Sequence, residues 1–253
     1  DDNKTTSYFD LEGNEYFGYT SGSFFIAEGA SMYSWRLKEF AGVDPVTGQS
    51  MWYKDVEELD ANGDPTGKML RETTTTYADA TYYVNNKSTI PAAFGGFGTS
   101  IYAYGFDISA NFSYQIGGWQ YDGTYASFMS TPTSNSTGSN IHVDALQAWT
   151  PENKSTTIPR WQFDDTYSAG SSTRFLTKAS YLNIENIAVG YTFPAEWTRK
   201  AQINSLRLYV TADNVWYWSA RQGFDPRQSF SSETNATTYS PMRSISAGIS
   251  LKF

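Results

Sequence analysis

The sequence predicts an all-β protein, an antiparallel transmembrane β-barrel, from three observations. Residues 243–253 alternate without interruption: Ile245, Ala247, Ile249, Leu251 and Phe253 take one face, and Ser244, Ser246, Gly248, Ser250 and Lys252 the other. Residues 106–117 alternate likewise, with Phe106, Ile108, Ala110, Phe112, Tyr114 and Ile116 set against Asp107, Ser109, Asn111, Ser113, Gln115 and Gly117. Strands average about five to six residues, whereas a strand crossing a bilayer needs roughly 9–11. Finally, short turns and long loops take turns along the second half, as they do between the two rims of such a barrel. Alternation alone also fits a soluble β-sandwich, whose strands show one face to a core and the other to water.

Composition agrees. Aromatic residues make up 17% of the 253 residues and charged residues no more than that, a balance suited to aromatic girdles at two interfaces and wet loops between them. The net charge of -8 speaks against a nucleic-acid partner. The chain has no Cys, which fits a bacterial envelope protein without excluding a cytosolic one. No apolar run approaches the length of a transmembrane helix, and barrel strands barely register on hydropathy. The opening DDNKTTSYFD has neither a basic start nor an apolar core, so no secretion signal is visible.

Residues 1–30 are polar and Gly-rich, with room for at most one short strand. Residues 32–41 form a strand that ends at the turn signals Gly42 to Pro45 and Thr47-Gly48. Residues 55–92 read as a long loop. Within it Asp60, Asn62 and Asp64 have the alternate oxygen spacing of a calcium loop, with Gly63 at the bend. Pro65 and Thr66 interrupt that template, and an acidic turn without metal is the preferred reading; no cofactor is expected.

Residues 93–118 form a hairpin about a tight turn at Tyr104-Gly105. Residues 119–180 carry no convincing period, and 130–140 is low in complexity. A loop of roughly 60 residues is foreign to compact soluble domains. Its rings, Trp119, Tyr121, Trp149, Trp161 and Phe163 among them, either stack on cargo or a lid protein or pack the loop against itself.

Residues 181–194 form the next long strand, with a phase slip at Glu185-Asn186 that signals a β-bulge. A short link (195–205) leads to a strand at 206–219, where Trp216, Tyr217 and Trp218 form a candidate interfacial girdle. A second long loop (220–242) contains GFDPRQ, and the terminal strand follows. Its ending SAGISLKF resembles the C-terminal strand that barrel-assembly machinery recognises, with Gly248, Leu251 and Phe253 as the signal positions.

Four blocks carry a wider resemblance: EGASMYSWRLKEFAGVDPVTGQSMWYKD, GGFGTSIYAYGFDISANFSYQIGG, YLNIENIAVGYTFPAEW with INSLRLYVTADNVWYWSARQGFDPR, and SAGISLKF. They resemble, in order, the C-terminal region of SusC/RagA-type TonB-dependent transporters of Bacteroidetes. The acidic turn is similar to that family's DxNGDGxI loop, with Pro65 in place of its second Gly. The resemblance implies that residues 1–253 are the C-terminal part of a plugged barrel of roughly 22 strands. Signal peptide, plug and TonB box would then lie outside this chain. It also implies an outer-membrane location, import of glycans or peptides, a SusD-like lipoprotein lid, and energy from the TonB complex through the absent N-terminal part. The remaining barrel and outer-membrane lipid complete the partners.

Two other readings stand beside it. One is a secreted β-sandwich adhesin or carbohydrate-binding module, to which the N-x-S/T triplets at Asn86, Asn111, Asn135, Asn153 and Asn235 would fit. The other is an enzyme, for which there is little. His142 is the only His, and the Asp164-Asp165 step lies in a loop, whereas glycosidase carboxylates are held across a cleft.

Overall fold

Tyr104 and Gly105 both adopt left-handed backbone, with φ of 53° and 85°. Two such residues in succession make the two-residue hairpin turn whose twist matches that of its strands. In the computed structural model this turn joins two long strands, at residues 91–103 and 106–117. The structure describes residues 5–132, 140–165, 168, 170–228 and 240–253. Tyr167, the triplets at Asn135 and Asn235, and most of the low-complexity segment lie outside the described residues.

The strands in chain order are β1 (Thr6–Phe9), β2 (Glu15–Ser21), β3 (Phe24–Ala27), β4 (Ser34–Lys38), β5 (Phe40–Val43), β6 (Ser50–Leu59), β7 (Pro65–Thr74), β8 (Tyr82–Ser88), β9 (Pro91–Ala103), β10 (Phe106–Gly117), β11 (Trp119–Tyr121), β12 (Leu176–Lys178), β13 (Tyr181–Thr192), β14 (Ser205–Ser219) and β15 (Ser244–Lys252). Two short helices, α1 (Gly123–Phe128) and α2 (Ala195–Thr198), lie between them. None of the described helices is long and apolar enough to cross a membrane, which leaves crossing by strands open.

The chain divides into two compact units. The first holds β1 to β8, β11 and α1. Its sheets run β1-β2-β3-β4-β8 and β5-β6-β7. Its core gathers Phe24, Trp35, Leu37, Tyr121, Met129, Ala145, Phe175 and Leu176. The outward residues of β4 are covered as well. Arg36 sits between the rings of Tyr8 and Tyr82, and Lys38 between those of Tyr82 and Tyr77.

Three expectations fail in this unit, each for a physical reason. Residues 1–30 hold three strands rather than at most one. Phe24 and Phe25 are both buried, so β3 is covered on two faces and shows no alternation. The strand expected at 32–41 breaks at Glu39 into β4 and β5, which join different sheets. The supposed loop at 55–92 contains β7, β8 and the end of β6. β7 is solvated on both faces and carries Lys68, Arg71 and Glu72, so its period is hidden.

The second unit is one antiparallel sheet in the order β9-β10-β13-β14-β15. Its strands are 13, 12, 12, 15 and 9 residues long. The bulge expected at Glu185-Asn186 is present: the register shifts between Ile184 and Asn186 against β14, and opposite Asn111-Phe112 of β10. That one extra residue returns Leu182 and Ile184 to the face of Ile187 and Val189, so the apolar side is unbroken. Ile101, Ile108, Val189, Val210 and Ala247 are successive partners across all five strands. Ala103, Phe106, Tyr191, Leu208 and Ile249 form the next such row. Apart from the half-buried Tyr191, the large side chains of these rows are exposed; Ile249, for example, is 66% exposed.

Candidate functional site

The opposite face of this sheet is built from the residues that alternate with the apolar rows. Asn111, Asn186, Asp213 and Ser244 line up across four strands. Asn186 Nδ2 donates to Asp213 Oδ1 at 2.7 Å, and Ser244 Oγ donates to Asp213 Oδ2 at 3.3 Å. Further toward the Tyr104-Gly105 turn, Arg207 of β14 reaches across β13 to Asp107 of β10, its Nε donating to Oδ1 at 2.9 Å. The pair passes over Gly190, where a Cβ would fall 2.5 Å from both Arg207 Nη2 and Asp107 Oδ1. This face is thus a ladder of hydrogen-bonding groups, with Arg207 matched to Asp107 across the intervening strand.

The start of the second long loop folds onto that ladder. Arg227 Nε donates to Asp225 Oδ1 at 2.8 Å, and Nη2 donates to Oδ2 at 2.6 Å. Its Nη1 donates to Asn183 Oδ1 of β13 at 2.8 Å, and the guanidinium lies 4.4 Å over the Tyr217 ring of β14. Phe224 and Asp225 are buried, at 1% and 2% exposure. Burial pushes the Asp225 carboxyl up, but hydrogen bonds from the Arg227 side chain, Ser240 and the Arg227 amide outweigh it and hold the group below the usual carboxylate range. Tyr217 accordingly belongs to the polar face, while Trp216 and Trp218 lie on the apolar one; the expected three-ring girdle is a pair. The GFDPRQ segment was visible in the sequence, but its anchoring role was not. The anchor needs Arg227 to reach Asn183 while it holds Asp225, and only the fold brings Asn183 near.

The five aromatic candidates fall in the first unit. Tyr121 is a core residue, its ring against Trp35 and Phe175. Trp119 and Trp161 pack on the same core, and the Trp119 carbonyl accepts from Trp35 Nε1 at 3.0 Å. Trp149 is half-buried, against Gly48, where any side chain would meet its ring. Phe163 is the one of the five that exposes more than half of its surface, 58%.

Asp60, Asn62 and Asp64 close a turn on themselves, Asp60 Oδ1 accepting from the Asn62 and Asp64 amides at 2.8 and 2.9 Å. Among the described residues no group of three or more acidic, His or Cys side chains could hold a metal ion. His142 accepts from the Asp144 amide through Nδ1 and packs edge-on against Tyr125. Asp165 is buried beside Arg160 at 2.9 Å, while Asp164 is exposed, so the two do not form a catalytic pair. Of the terminal positions, Gly248 lies on the polar face opposite Tyr209, Leu251 pairs with Leu206, and Phe253 follows the strand end, largely exposed.

Known structures share this fold. The chain superposes on the RagAB peptide transporter with a TM-score of 0.72 at 22% identity, over 98% of this chain and 28% of that one. A second RagAB structure, of the peptide importer in its closed-closed state, gives 0.71 at 23% identity. The fold is that of part of a TonB-dependent transporter barrel. In sequence, the chain is 24% identical over 168 residues to TonB-dependent receptor P3 of Formosa agariphila. It is 23% identical over 119 residues to TonB-dependent receptor P26 of the same organism. These matches cover 62% and 44% of this chain, but it spans only 16% and 12% of the two receptors' lengths. No family model matches it. Both comparisons bear out the resemblance drawn from the four sequence blocks, and the relatives are transporters and receptors rather than enzymes.

Proposed function

We propose that this chain is part of the wall of an outer-membrane importer that works with TonB. The observation that carries this reading is the five-stranded sheet with strands of 9 to 15 residues, apolar and exposed on one face and polar on the other. On that reading the apolar rows meet lipid and the polar ladder lines the lumen. Among the described residues β9 and β15 each keep an unpaired edge in this sheet, which hydrocarbon does not tolerate. Further strands of the same barrel therefore complete it. Peptides are the first cargo class to test, because the structural neighbours are described as peptide transporters; glycans are the second. A SusD-like surface lipoprotein caps the mouth, where Phe163 is available for contact, and Gly248, Leu251 and Phe253 direct insertion. A soluble sandwich would bury the apolar rows that are open here.

Arginine scanning tests the reading. Phe112→Arg in the whole transporter is expected to cost about 2–4 kcal/mol of folding stability near the membrane midplane, and Ser113→Arg far less. Equal costs at the two positions would contradict the assignment.

A further inference from the structure

Gly248 and Gly190 are the two residues of β15 and β13 that pair directly with Tyr209 of β14. Neither has positive φ, so neither position needs glycine for its backbone. What both need is empty space. A Cβ on Gly248 would fall 2.8 Å from Tyr209 Cε1 and closer still to Cζ and the hydroxyl. The Tyr209 ring thus lies across β15, while Arg207, also on the polar face of β14, reaches the other way across Gly190 to Asp107. The Arg207 guanidinium lies 4.9 Å from the centre of the Tyr209 ring and limits its freedom to swing aside.

β15 has a register problem that this arrangement solves. Its polar face reads Ser244, Ser246, Gly248, Ser250 and Lys252, and its apolar face is a run of small and aliphatic residues. A one-residue slip would turn its apolar face to the wrong side, so alternation forbids it. A two-residue slip keeps every side chain on its proper face, and alternation does not resist it. That slip would set Ser246 or Ser250 opposite Tyr209, with a side chain where the ring now lies. We propose that Gly248 is a steric seat for the Tyr209 ring, and that this fit selects the register of β15 on β14 against two-residue slips. The glycine of the insertion signal then acts inside the finished sheet, through a partner far away in sequence.

The inference rests on the barrel reading only for where the sheet assembles. Its test is a cross-link that reports strand register whatever surrounds the sheet, whereas the arginine scan reports the membrane. The chain has no Cys, so an engineered pair is unambiguous. Val210 and Ala247 are direct partners, and opposed positions lie within disulfide reach. In the whole transporter, the pair V210C with A247C reads the native register, and V210C with I245C or I249C reads the slipped ones. Gly248→Ala puts a Cβ under the ring in the native register as in the slipped ones, so the native cross-link is expected to lose its lead and a slipped one to appear. Tyr209→Ala with Gly248 intact removes the ring that tells the registers apart and is expected to do the same. A native cross-link unchanged by Gly248→Ala would overturn the proposal. So would a Tyr209→Ala variant that keeps the native cross-link alone, which would mean that the ring does not select the register.

Discussion

Arg227 donates to Asn183 Oδ1 at 2.8 Å while two of its other guanidinium donors clasp Asp225. A loop residue is thereby fixed to the wall of the sheet. The first part of the second long loop is a strap laid on the polar face, with Phe224 and Asp225 buried.

Arg227→Ala should release the strap. It leaves the Asp225 carboxylate buried without its partner, a change that typically costs about 3–5 kcal/mol. Trypsin cleavage at Arg221 in the intact transporter checks this: cleavage should become fast in the variant and remain slow in the parent. Arg227→Lys should rescue only in part, because an ammonium cannot hold Asp225 by two donors and reach Asn183 at once.

The strap should also respond to acid. Asp225 is held below its ordinary value in the folded state, so its contribution is fully present above the unfolded carboxylate range near about 4. It is lost only as pH falls through the depressed folded value. Hydroxyl-radical labelling of Phe224 should therefore stay low from neutral pH down to about 5 and rise only in stronger acid. A rise between pH 7 and 5 would point to another group.

Among the aromatic residues of the first unit, packing separates function from stability. Phe175→Ala removes a ring that is 1% exposed in the first unit's core and should cost about 3–5 kcal/mol. Phe163→Ala removes an exposed ring and should leave folding within about 0.5 kcal/mol of the parent. Thermal unfolding in detergent measures the difference. Uptake and lid-binding assays on Phe163→Ala then ask whether that ring meets a partner.

The long strands of the second unit were legible because their environment is two-sided. β10 and β15 alternate cleanly, the bulge at Glu185-Asn186 showed as a phase slip, and the Tyr104-Gly105 turn carries its own residue signal. The first unit was not legible, for two opposite reasons. β3 and β4 are covered on both faces, and β7 is wet on both, so neither leaves a period-two trace. The polar face was half legible. Its residues could be placed on one side from their spacing, but Arg207 reaching Asp107, Arg227 reaching Asn183 and Tyr209 lying over Gly248 all join separate strands or loops. Such contacts depend on register, which a single strand's pattern does not contain.

The two-sided wall is tested most directly by single nitroxide labels at adjacent positions of β14, Val210 and Thr211, in the whole transporter reconstituted in bilayers. The label at Val210 should collide with oxygen, which concentrates in lipid, and be shielded from a water-soluble nickel chelate. The label at Thr211 should show the reverse preference, and the same contrast should recur at Val189 and Ala188 of β13. Equal access of the nickel chelate to both members of each pair would contradict a membrane-facing apolar side.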